Sequence, residues 1–383
     1  MQNYIHKTQQ LALNADKGSL DLHVCRHCGM AFNSSFDGSL MKYDEGYNNN
    51  APSQFMDQYY KTISEYLYAK YNLSGKLIVD VGCGKGGFLK TLCGLYPDVR
   101  GLGVDPSYVD IGEDRPSNVR FVNAYFSAQH IQEQPALVTC RHVLEHIPNP
   151  VAFMREIRTG LAAFAETPLF LEVPDLEWIL SNSAFWDFCY EHCNYFTQQS
   201  MAALLKHSGF LPAESMQNAF GGQYLWVETQ GTSEAEAQQT CAPPTLEDTN
   251  LAERARQYSR EEEAYIQQTR ALLLSRKQRS QSIVLWGMAT KGIMYAQLID
   301  KEGTLVDHHV DINEDRHFVY TPLTGKQIKP PESLPLSTAL TIVVMNPNYL
   351  QEIAAQCGAL GLSASFLSAD SSQNQEADEE RLA

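Results

Sequence analysis

The sequence lacks a long apolar run. No stretch of about eighteen apolar residues occurs, the length that a helix needs to cross a bilayer. We therefore expect no membrane span and no membrane partner. The first residues, MQNYIHKTQQ, also lack the apolar core of a secretory signal.

Basic residues are scarce relative to acidic ones. The chain has 29 Lys and Arg against 45 Asp and Glu, a net charge of −16, and its pI is about 5.1. Proteins that bind nucleic acid over a broad surface usually carry a basic patch or stripe. We therefore expect no nucleic-acid partner.

A disulfide framework is not indicated either. Nine cysteines, an odd number, are scattered over 383 residues, which favours reduced thiols and a cytoplasmic location. Hydrophobic residues make up 44% of the chain and charged residues 19%. This composition is typical of a globular protein, and the length is sufficient for two or three domains.

A second CxxC motif is missing as well. Cys25 and Cys28 form a single CxxC within LHVCRHCGMAF, whereas a structural zinc site normally has four ligands. The histidines available to complete it are His6, His23 and His27. Two interpretations stay open: a zinc knuckle at Cys25 and Cys28, or a metal-free turn of the rubredoxin type.

The most informative stretch that is present covers residues 77–105. An apolar run from Leu77 to Val81 predicts a buried parallel strand. Four glycines follow between residues 82 and 87, where glycine lets the backbone turn tightly and approach a ligand. A helix over Phe88–Leu95 and a second strand over Gly101–Val104, ending at Asp105, complete a nucleotide-binding half-fold.

The glycine spacing alone leaves the ligand open. Gly82, Gly84 and Gly87 satisfy GxGxxG, which also occurs in NAD-binding units and in turns that bind nothing. The form VDVGCGKGGFL, with Asp80 two residues before the first glycine, resembles the first motif of class I S-adenosylmethionine (SAM)-dependent methyltransferases.

That resemblance implies roles for individual residues. Asp80 would lie near the methionine ammonium, and the backbone at Gly82, Cys83 and Gly84 would pack beside the cofactor. Asp105 would accept hydrogen bonds from the ribose hydroxyls.

Strands and helices alternate after Leu77, which predicts a parallel sheet with helices on both faces. A helix is expected near residues 53–72, and an antiparallel hairpin within 206–229 would close the sheet. A long connecting helix precedes residue 281, where a second, shorter α/β unit begins. The strands predicted for the first sheet are 77–81, 100–104, 119–123, 136–140 and 168–173.

Two loops after these strands resemble further parts of a methyltransferase site. Asn123 and Ala124 follow the third strand, where the resemblance places the adenine. The fourth strand runs into RHVLEHIPNP, in which His142 is the candidate for lining the methionine arm. His142 and His146 have the spacing of a metal pair on a helix, but Pro148 argues against a helix here. We expect a structural hydrogen bond from His146.

The segment FWDFCYEHCNYFT holds Tyr190, Glu191, His192 and Tyr195 within six residues. A histidine beside a carboxylate and phenols is a candidate general base near neutral pH. From spacing alone, a buried structural histidine is the stronger alternative.

Taken in order, the motifs resemble the sugar C-methyltransferases that act on nucleotide-linked deoxysugars. Members carry an N-terminal zinc-binding CxxC domain, a class I methyltransferase domain and a C-terminal Rossmann-like domain. The segments that carry the resemblance are CRHCGMAF, VDVGCGKGGFL, RHVLEHIPNP, LEVPDLEWIL, YEHCNYF, GGQYL and WGMATKG with Asp311 downstream.

The resemblance implies an α/β fold with a class I methyltransferase Rossmann-like sheet, a small N-terminal knuckle and a second, smaller C-terminal α/β domain. The boundaries that follow are 1–45 for the knuckle region, 46–235 for the methyltransferase domain, 236–280 for the linker and connecting helix, 281–368 for the C-terminal domain and 369–383 for a disordered tail.

The resemblance also implies a mechanism. His192 would remove a proton alpha to a 4-keto group, and Glu191 would orient it or bind a sugar hydroxyl. The family usually has tyrosine where this chain has Cys189, so Tyr190 or Tyr195 would take that role.

On the acceptor side, the resemblance places Gly287 and Lys291 at a nucleotide diphosphate. Gln223, in GGQYL, is assigned to the same substrate.

We therefore predict a SAM-dependent methyltransferase acting on a small molecule, with a nucleotide-sugar as the leading acceptor. The expected cofactors are SAM and, at the knuckle, zinc, and the expected assembly is a monomer or homodimer. The alternatives are an O- or N-methyltransferase of polysaccharide or natural-product biosynthesis, a SAM-binding scaffold without turnover, and an NAD-dependent oxidoreductase.

Overall fold

The computed structural model describes residues 4–41, 53–110, 115–231 and 250–369. They form three β-sheets of seven, five and three strands. In this part of the chain no helix has the length and apolar character needed to cross a membrane.

The seven-stranded sheet holds the predicted methyltransferase unit. Its strand order is β5-β4-β3-β6-β7-β10-β9. The first five strands in this order are parallel, and β10 and β9 close the sheet as an antiparallel hairpin. The bounds are β3 Leu77–Val81, β4 Arg100–Val104, β5 Val119–Val122, β6 Leu137–Arg141, β7 Pro168–Pro174, β9 Ser215–Ala219 and β10 Tyr224–Gln230.

Helices cover both faces of this sheet because its central strands are apolar on both sides. On one face, Ile78 packs with α2 and α3, and on the other, Val79 packs with α4 and α6. The bounds are α2 Gln54–Tyr71, α3 Gly87–Leu95, α4 Pro150–Gly160, α5 Leu176–Ser181 and α6 Gln198–Ser208. The predicted fold class is confirmed, and the predicted strand bounds agree with the structure to within a residue.

The N-terminal hairpin is tied to the segment that follows His192. Strands β1 (Leu22–Val24) and β2 (Ala31–Asn33) form the hairpin, and β2 pairs with β8 (Asn194–Tyr195). The N-terminal region therefore fixes the backbone directly beside the candidate base.

The residues before this hairpin contact the other end of the molecule. The short helix α1 (Gln9–Leu13) lies against the C-terminal domain, where Leu323 N donates to Ala12 O at 2.8 Å. Tyr320 N likewise donates to His6 O at 2.9 Å. The region predicted as one N-terminal knuckle thus contacts both larger parts of the chain.

The C-terminal domain is a second parallel sheet, ordered β13-β12-β11-β14-β15. The long helix α7 leads into it from the first domain. The bounds are α7 Asn250–Gln278, β11 Ser282–Trp286, α8 Thr290–Ile299, β12 His308–Val310, β13 Ile328–Lys329, β14 Leu340–Val344, α9 Leu350–Ala359 and β15 Ala364–Ser368.

Some predictions fall outside the described residues. They are the polar linker over 236–249 and all but the first residue of the tail predicted from 369. The domain boundaries themselves remain predictions.

Helix α8 requires glycine at its third position. A Cβ on Gly292 would lie 2.0 Å from Gly287 O, the carbonyl of the preceding turn. We expect Gly292→Ala to lower the free energy of unfolding by about 1–3 kcal/mol, because the turn or the helix must move.

The matched control is Gly358→Ala in α9, where a Cβ meets nothing within 4 Å. This variant should leave stability unchanged or raise it by under about 1 kcal/mol. Urea unfolding followed by circular dichroism measures both. Equal effects of the two substitutions would contradict the proposed close contact.

Candidate active site

The glycine turn after β3 is held in left-handed backbone conformations. Gly82 and Gly84 have φ of +74° and +55°, which glycine adopts without steric cost. Gly82 N donates to Val104 O at 2.8 Å, and Cys83 N to the same oxygen at 3.4 Å. The turn is thereby pulled toward the end of β4, where Asp105 lies.

Asp105 links the turn to the next loop. Its Oδ2 accepts from Gly84 N at 2.9 Å, and its Oδ1 accepts from Ser107 N and Oγ at 2.7 Å each. The carboxylate is therefore fixed at the carboxyl edge of the sheet, the position at which ligands of open α/β sheets bind.

Asn123 closes the loop predicted to face the adenine. Its Nδ2 donates to Pro106 O at 3.1 Å and to Tyr108 O at 2.5 Å. Ala124 N donates to Val122 O at 3.1 Å, which bends the chain just after β5. Both residues thus lie at the same edge as Asp105, and the Asn123 side chain shapes the loop through its backbone contacts.

Asp80 is a buried carboxylate directly before the turn. It is 4% exposed, and Thr139 Oγ1 donates to its Oδ1 at 2.7 Å. Burial raises the pKa of Asp80 to about 6, although the Thr139 hydrogen bond and the charge of Arg141 oppose the shift. A cationic ligand would offset this burial cost, so the site fits the ammonium of SAM.

The loop after β6 packs against the glycine turn. A Cβ on Gly82 would lie 2.2 Å from Val143 Cγ2, so only glycine permits this approach. The loop contains a short 3₁₀ turn, Leu144–His146, rather than an α-helix, as Pro148 predicted. His142 and His146 consequently do not share a helical face.

His142 lies between two carboxylates. Its backbone is left-handed, with φ of +54°, and its Nε2 is 2.7 Å from Glu172 Oε1 while its Nδ1 is 3.5 Å from Glu145 Oε1. Burial disfavours the imidazolium, but the two carboxylates outweigh it and raise the pKa of His142 to about 9. The residue predicted to line the methionine arm therefore carries a positive charge at neutral pH.

Glu172, on β7, is fully buried and accepts from four side chains. Arg141 Nη2 and His142 Nε2 bond to Oε1 at 2.8 and 2.7 Å. Tyr59 Oη and Trp226 Nε1 bond to Oε2 at 2.5 Å each. Burial acts to raise its pKa, but Arg141 and His142 hold the pKa of Glu172 well below its usual range.

His192 belongs to a cluster with Glu145 and His146, which we call the base cluster. The candidate ligand or proton-accepting atoms of these three residues all lie within 4.8 Å of one another. Cys193 N donates to Glu145 O at 2.8 Å, which holds the loop of His192 against the loop after β6. Burial and the neighbouring His146 lower the pKa of His192 to about 3, against the opposing charge of Glu145.

The carboxylate of the base cluster is not the predicted one. Glu191 is fully buried, and its backbone carbonyl accepts from His146 Nδ1 at 2.8 Å. This is the hydrogen bond expected of His146. Glu145, which sequence reasoning missed, supplies the acid beside His192. Its only signal was its place next to His146 in LEHIPNP.

The two predicted tyrosines face the protein interior. Tyr190 Oη accepts from Asp37 N at 2.8 Å, and the Tyr190 ring contacts Phe36. Tyr195 Oη accepts from Cys189 N at 3.1 Å and donates to Cys189 O at the same distance. Both hydroxyls thus bond to backbone segments in this structure, and a role for either tyrosine at the acceptor remains a prediction.

Predicted substrate residues meet where the two domains touch. Lys291 Nζ, on α8, lies 2.9 Å from Gln223 Oε1 and 2.9 Å from Asp187 Oδ2. Gln223 is 3% exposed and also bonds to Asn346, its Nε2 donating to Asn346 Oδ1 at 3.0 Å. The lysine amine is therefore neutralised by a carboxylate of the methyltransferase domain.

Gly287 lies in a turn built like the one in the first domain. Gly287 N donates to Val310 O at 2.9 Å, and Met288 N donates to Asp311 Oδ2 at 2.6 Å. Asp311, which follows the second strand of this domain, therefore holds its glycine turn by accepting from a backbone N–H, as Asp105 does in the first domain. The amide of Gly287 is thus already bonded within the sheet.

The CxxC segment forms the expected knuckle turn. Cys25 N donates to Met30 O at 2.8 Å, and Gly29 N donates to Cys25 O at 2.9 Å. Among the described residues, no group of three ligating side chains includes Cys25 or Cys28. Zinc at this turn remains a prediction, for which the sequence offers Cys25 and Cys28 as two of the four ligands needed.

Comparison with known families agrees with this geometry. Residues 53–214 match the sequence profile of a methyltransferase domain. This defines the class: the first large unit is the SAM-dependent methyltransferase domain that the glycine turn predicted. Residues 224–364 match the profile of a C-methyltransferase C-terminal domain. The chain thus carries a match to a methyltransferase domain followed by a match to a C-methyltransferase C-terminal domain, in the order that the motifs predicted.

Curated relatives match about a quarter of the chain. A ubiquinone biosynthesis O-methyltransferase of Paraburkholderia phytofirmans is 28% identical over 101 residues, which cover 25% of this chain and 44% of the relative. The protein of the same name from Xanthomonas euvesicatoria is 31% identical over 97 residues, which cover 24% of this chain and 41% of the relative. The chain thus spans less than half the length of either relative.

Solved structures to which the chain shows similarity include magnesium protoporphyrin IX methyltransferase from Synechocystis PCC 6803 with bound S-adenosylhomocysteine. It is 18% identical, with a TM-score of 0.35, and covers 49% of this chain and 90% of its own. The 1,6-didemethyltoxoflavin-N1-methyltransferase from Burkholderia thailandensis is 17% identical, with a TM-score of 0.35, and the match covers 45% of this chain and 78% of that one.

The four hydrogen bonds to Glu172 generate a stability prediction. Glu172→Gln removes the carboxylate that pairs with Arg141. The Arg141 side chain is only 7% exposed, so its charge would remain buried without a partner carboxylate. We expect the free energy of unfolding to fall by about 3 kcal/mol or more, since removing one partner of a buried ion pair leaves an uncompensated charge. Urea unfolding measures the loss.

The control is Glu133→Gln, which breaks an ion pair with Arg100 at the surface, where both side chains are more than half exposed. It should change stability little, because solvent screens such pairs. A loss of stability in the control as large as that of Glu172→Gln would contradict the importance of burial.

Proposed function

We propose that this protein is a SAM-dependent C-methyltransferase that methylates a nucleotide-linked keto-deoxysugar at a carbon next to the ketone, through an enolate. The observation that carries this proposal is the placement of His192. The base cluster borders the loop that packs on the cofactor turn, and the chain leading to His192 carries Asp187, which pairs with Lys291 of the C-terminal domain.

The cofactor residues support the first part of the proposal. Asp80 would hold the methionine ammonium, Asp105 the ribose hydroxyls, and the turn at Gly82–Gly84 the adjoining backbone face. When bound, SAM supplies an electrophilic methyl group. Asp105 now accepts from Gly84 N and Ser107, so these donors hold its carboxylate in place for the ribose.

The base cluster supports the choice of carbon as the methylated atom. Methylation at carbon requires removal of a proton, whose C–H electron pair becomes the enolate nucleophile. Among the described residues, His192 Nδ1 is buried without a hydrogen-bond partner, so a lone pair on this imidazole is available to take the proton. Glu145, within the same 4.8 Å cluster, would stabilise the imidazolium that forms.

The interface between the domains supports a charged acceptor. Lys291 is a point charge suited to a phosphate, and in this structure it pairs with Asp187 at 2.9 Å. A diphosphate would therefore compete with Asp187 for the ammonium. Gln223 of the methyltransferase domain bonds to both Lys291 and Asn346 of the C-terminal domain, so the same exchange would also change its hydrogen bonds.

A screen of keto-sugar nucleotides by mass spectrometry, for a gain of one methyl group, tests the acceptor. With an acceptor in hand, His192→Ala should lower kcat by about 10²- to 10⁴-fold, the usual contribution of a general base. Binding of SAM, measured by calorimetry, should survive.

His207→Ala is the matched control, because His207 is exposed on α6, outside the base cluster. Full activity of His192→Ala would remove His192 from the mechanism. Methylation at oxygen or nitrogen in the product would contradict the enolate.

Asp80 gives the cofactor site a pH dependence. Its carboxylate must be ionised to pair with the ammonium, and its pKa is raised to about 6. The affinity for SAM should therefore be highest and independent of pH well above that pKa, and should fall by up to about tenfold per pH unit below it. Calorimetry from about pH 5 to about pH 8 measures this.

Asp80→Asn should bind SAM weakly and lose this pH dependence. Asp98→Asn, at the surface, should retain both the affinity and the pH profile of the natural protein. An unchanged pH profile in Asp80→Asn would show that another group controls it.

A further inference from the structure

The base cluster has the composition of a transition-metal site. Glu145, His146 and His192 offer one carboxylate oxygen and two imidazole nitrogens within 4.8 Å of one another. Two histidines and a carboxylate suit zinc and its neighbours in the first transition row, whereas magnesium and calcium prefer oxygen ligands.

Two of these donor groups have unpartnered atoms. Within the described part of the chain, Glu145 Oε2 and His192 Nδ1 are buried and have no hydrogen-bond partner. The Glu145 residue is only 1% exposed. Buried polar atoms are nearly always bonded, so a buried carboxylate oxygen and an imidazole nitrogen left open side by side point to a ligand.

The third donor is oriented as a metal ligand usually is. His146 Nδ1 donates to Glu191 O at 2.8 Å, which leaves Nε2 as the nitrogen with the lone pair. Histidines that bind metals almost always donate their other N–H to a carbonyl or carboxylate in this way.

The spacing allows an ion to bind with a small adjustment. Donor atoms about 2.0–2.2 Å from a tetrahedral zinc lie about 3–3.5 Å apart, so the cluster must contract by roughly an ångström. The hydrogen bond from Cys193 N to Glu145 O already joins the two loops that carry the ligands. Side-chain rotations can therefore supply the contraction.

We propose that Glu145, His146 and His192 bind one divalent transition-metal ion of the zinc type, and that this ion competes with proton abstraction by His192. A neutral imidazole has a single lone pair, so a histidine bound to the metal cannot accept a proton. The competition rests on the proposed function, whereas the binding of the metal does not.

Cobalt(II) is the probe for binding, added to the full-length protein and followed by visible absorption. We expect one equivalent to give d–d bands without a thiolate charge-transfer band, because the ligands are nitrogen and oxygen. Glu145→Gln and His146→Gln should each weaken binding by at least about tenfold.

Two controls should bind cobalt as the natural protein does. His207→Gln removes an exposed histidine outside the cluster, and the double variant Cys25→Ser, Cys28→Ser removes the CxxC thiols. Far-UV circular dichroism establishes that each variant is folded. Absence of cobalt binding, or binding that survives Glu145→Gln and is lost in the cysteine variant, overturns the proposed site.

Zinc tests the competition. One equivalent should slow methyl transfer while SAM affinity, measured by calorimetry, stays unchanged, and EDTA should restore the rate. Faster methyl transfer with zinc would overturn the competition. Failure to find any acceptor would count against the proposed function alone, because the cobalt titration needs no acceptor.

Discussion

The buried carboxylate of Glu172 is the interaction on which the methyltransferase domain depends. It lies on β7 and accepts from Arg141 on β6, Tyr59 on α2 and Trp226 on β10. A carboxylate buried away from water destabilises the fold unless its oxygen lone pairs accept hydrogen bonds. Because the donors come from separate elements, this requirement fixes the sheet, the closing hairpin and the covering helix relative to one another.

The same carboxylate sets the electrostatics of the candidate active site. With Glu145 it raises the pKa of His142 to about 9, while burial and His146 lower the pKa of His192 to about 3. At neutral pH, His142 is therefore cationic whereas His192 is neutral. A neutral imidazole with an open nitrogen serves equally well as a base or as a metal ligand, so one cluster supports both proposals.

The two larger domains meet through a buried apolar cluster that includes Phe185 and Tyr295, and through polar contacts that a ligand could exchange. Asn348 Nδ2 donates to Phe220 O at 3.0 Å, and the carboxylate of Glu352 accepts from Phe55 N at the start of α2. Lys291 completes the interface through its pairing with Asp187. These contacts join polar groups, so a charged acceptor of the proposed kind could exchange them for its own hydrogen bonds.

The sequence by itself determined the α/β fold, the glycine turn and the positions of Asp80 and Asp105, because these follow from local apolar runs and from backbone conformations that only glycine adopts readily. It also pointed to His192 as a candidate base, and that role remains a prediction. Only the tertiary structure decided that Glu145 lies beside His192 and that Tyr190 and Tyr195 point into the interior. Outside helices and strands, the order of residues in the sequence does not determine which way a side chain points. Its direction is set by burial and by the hydrogen bonds that a buried polar group must make.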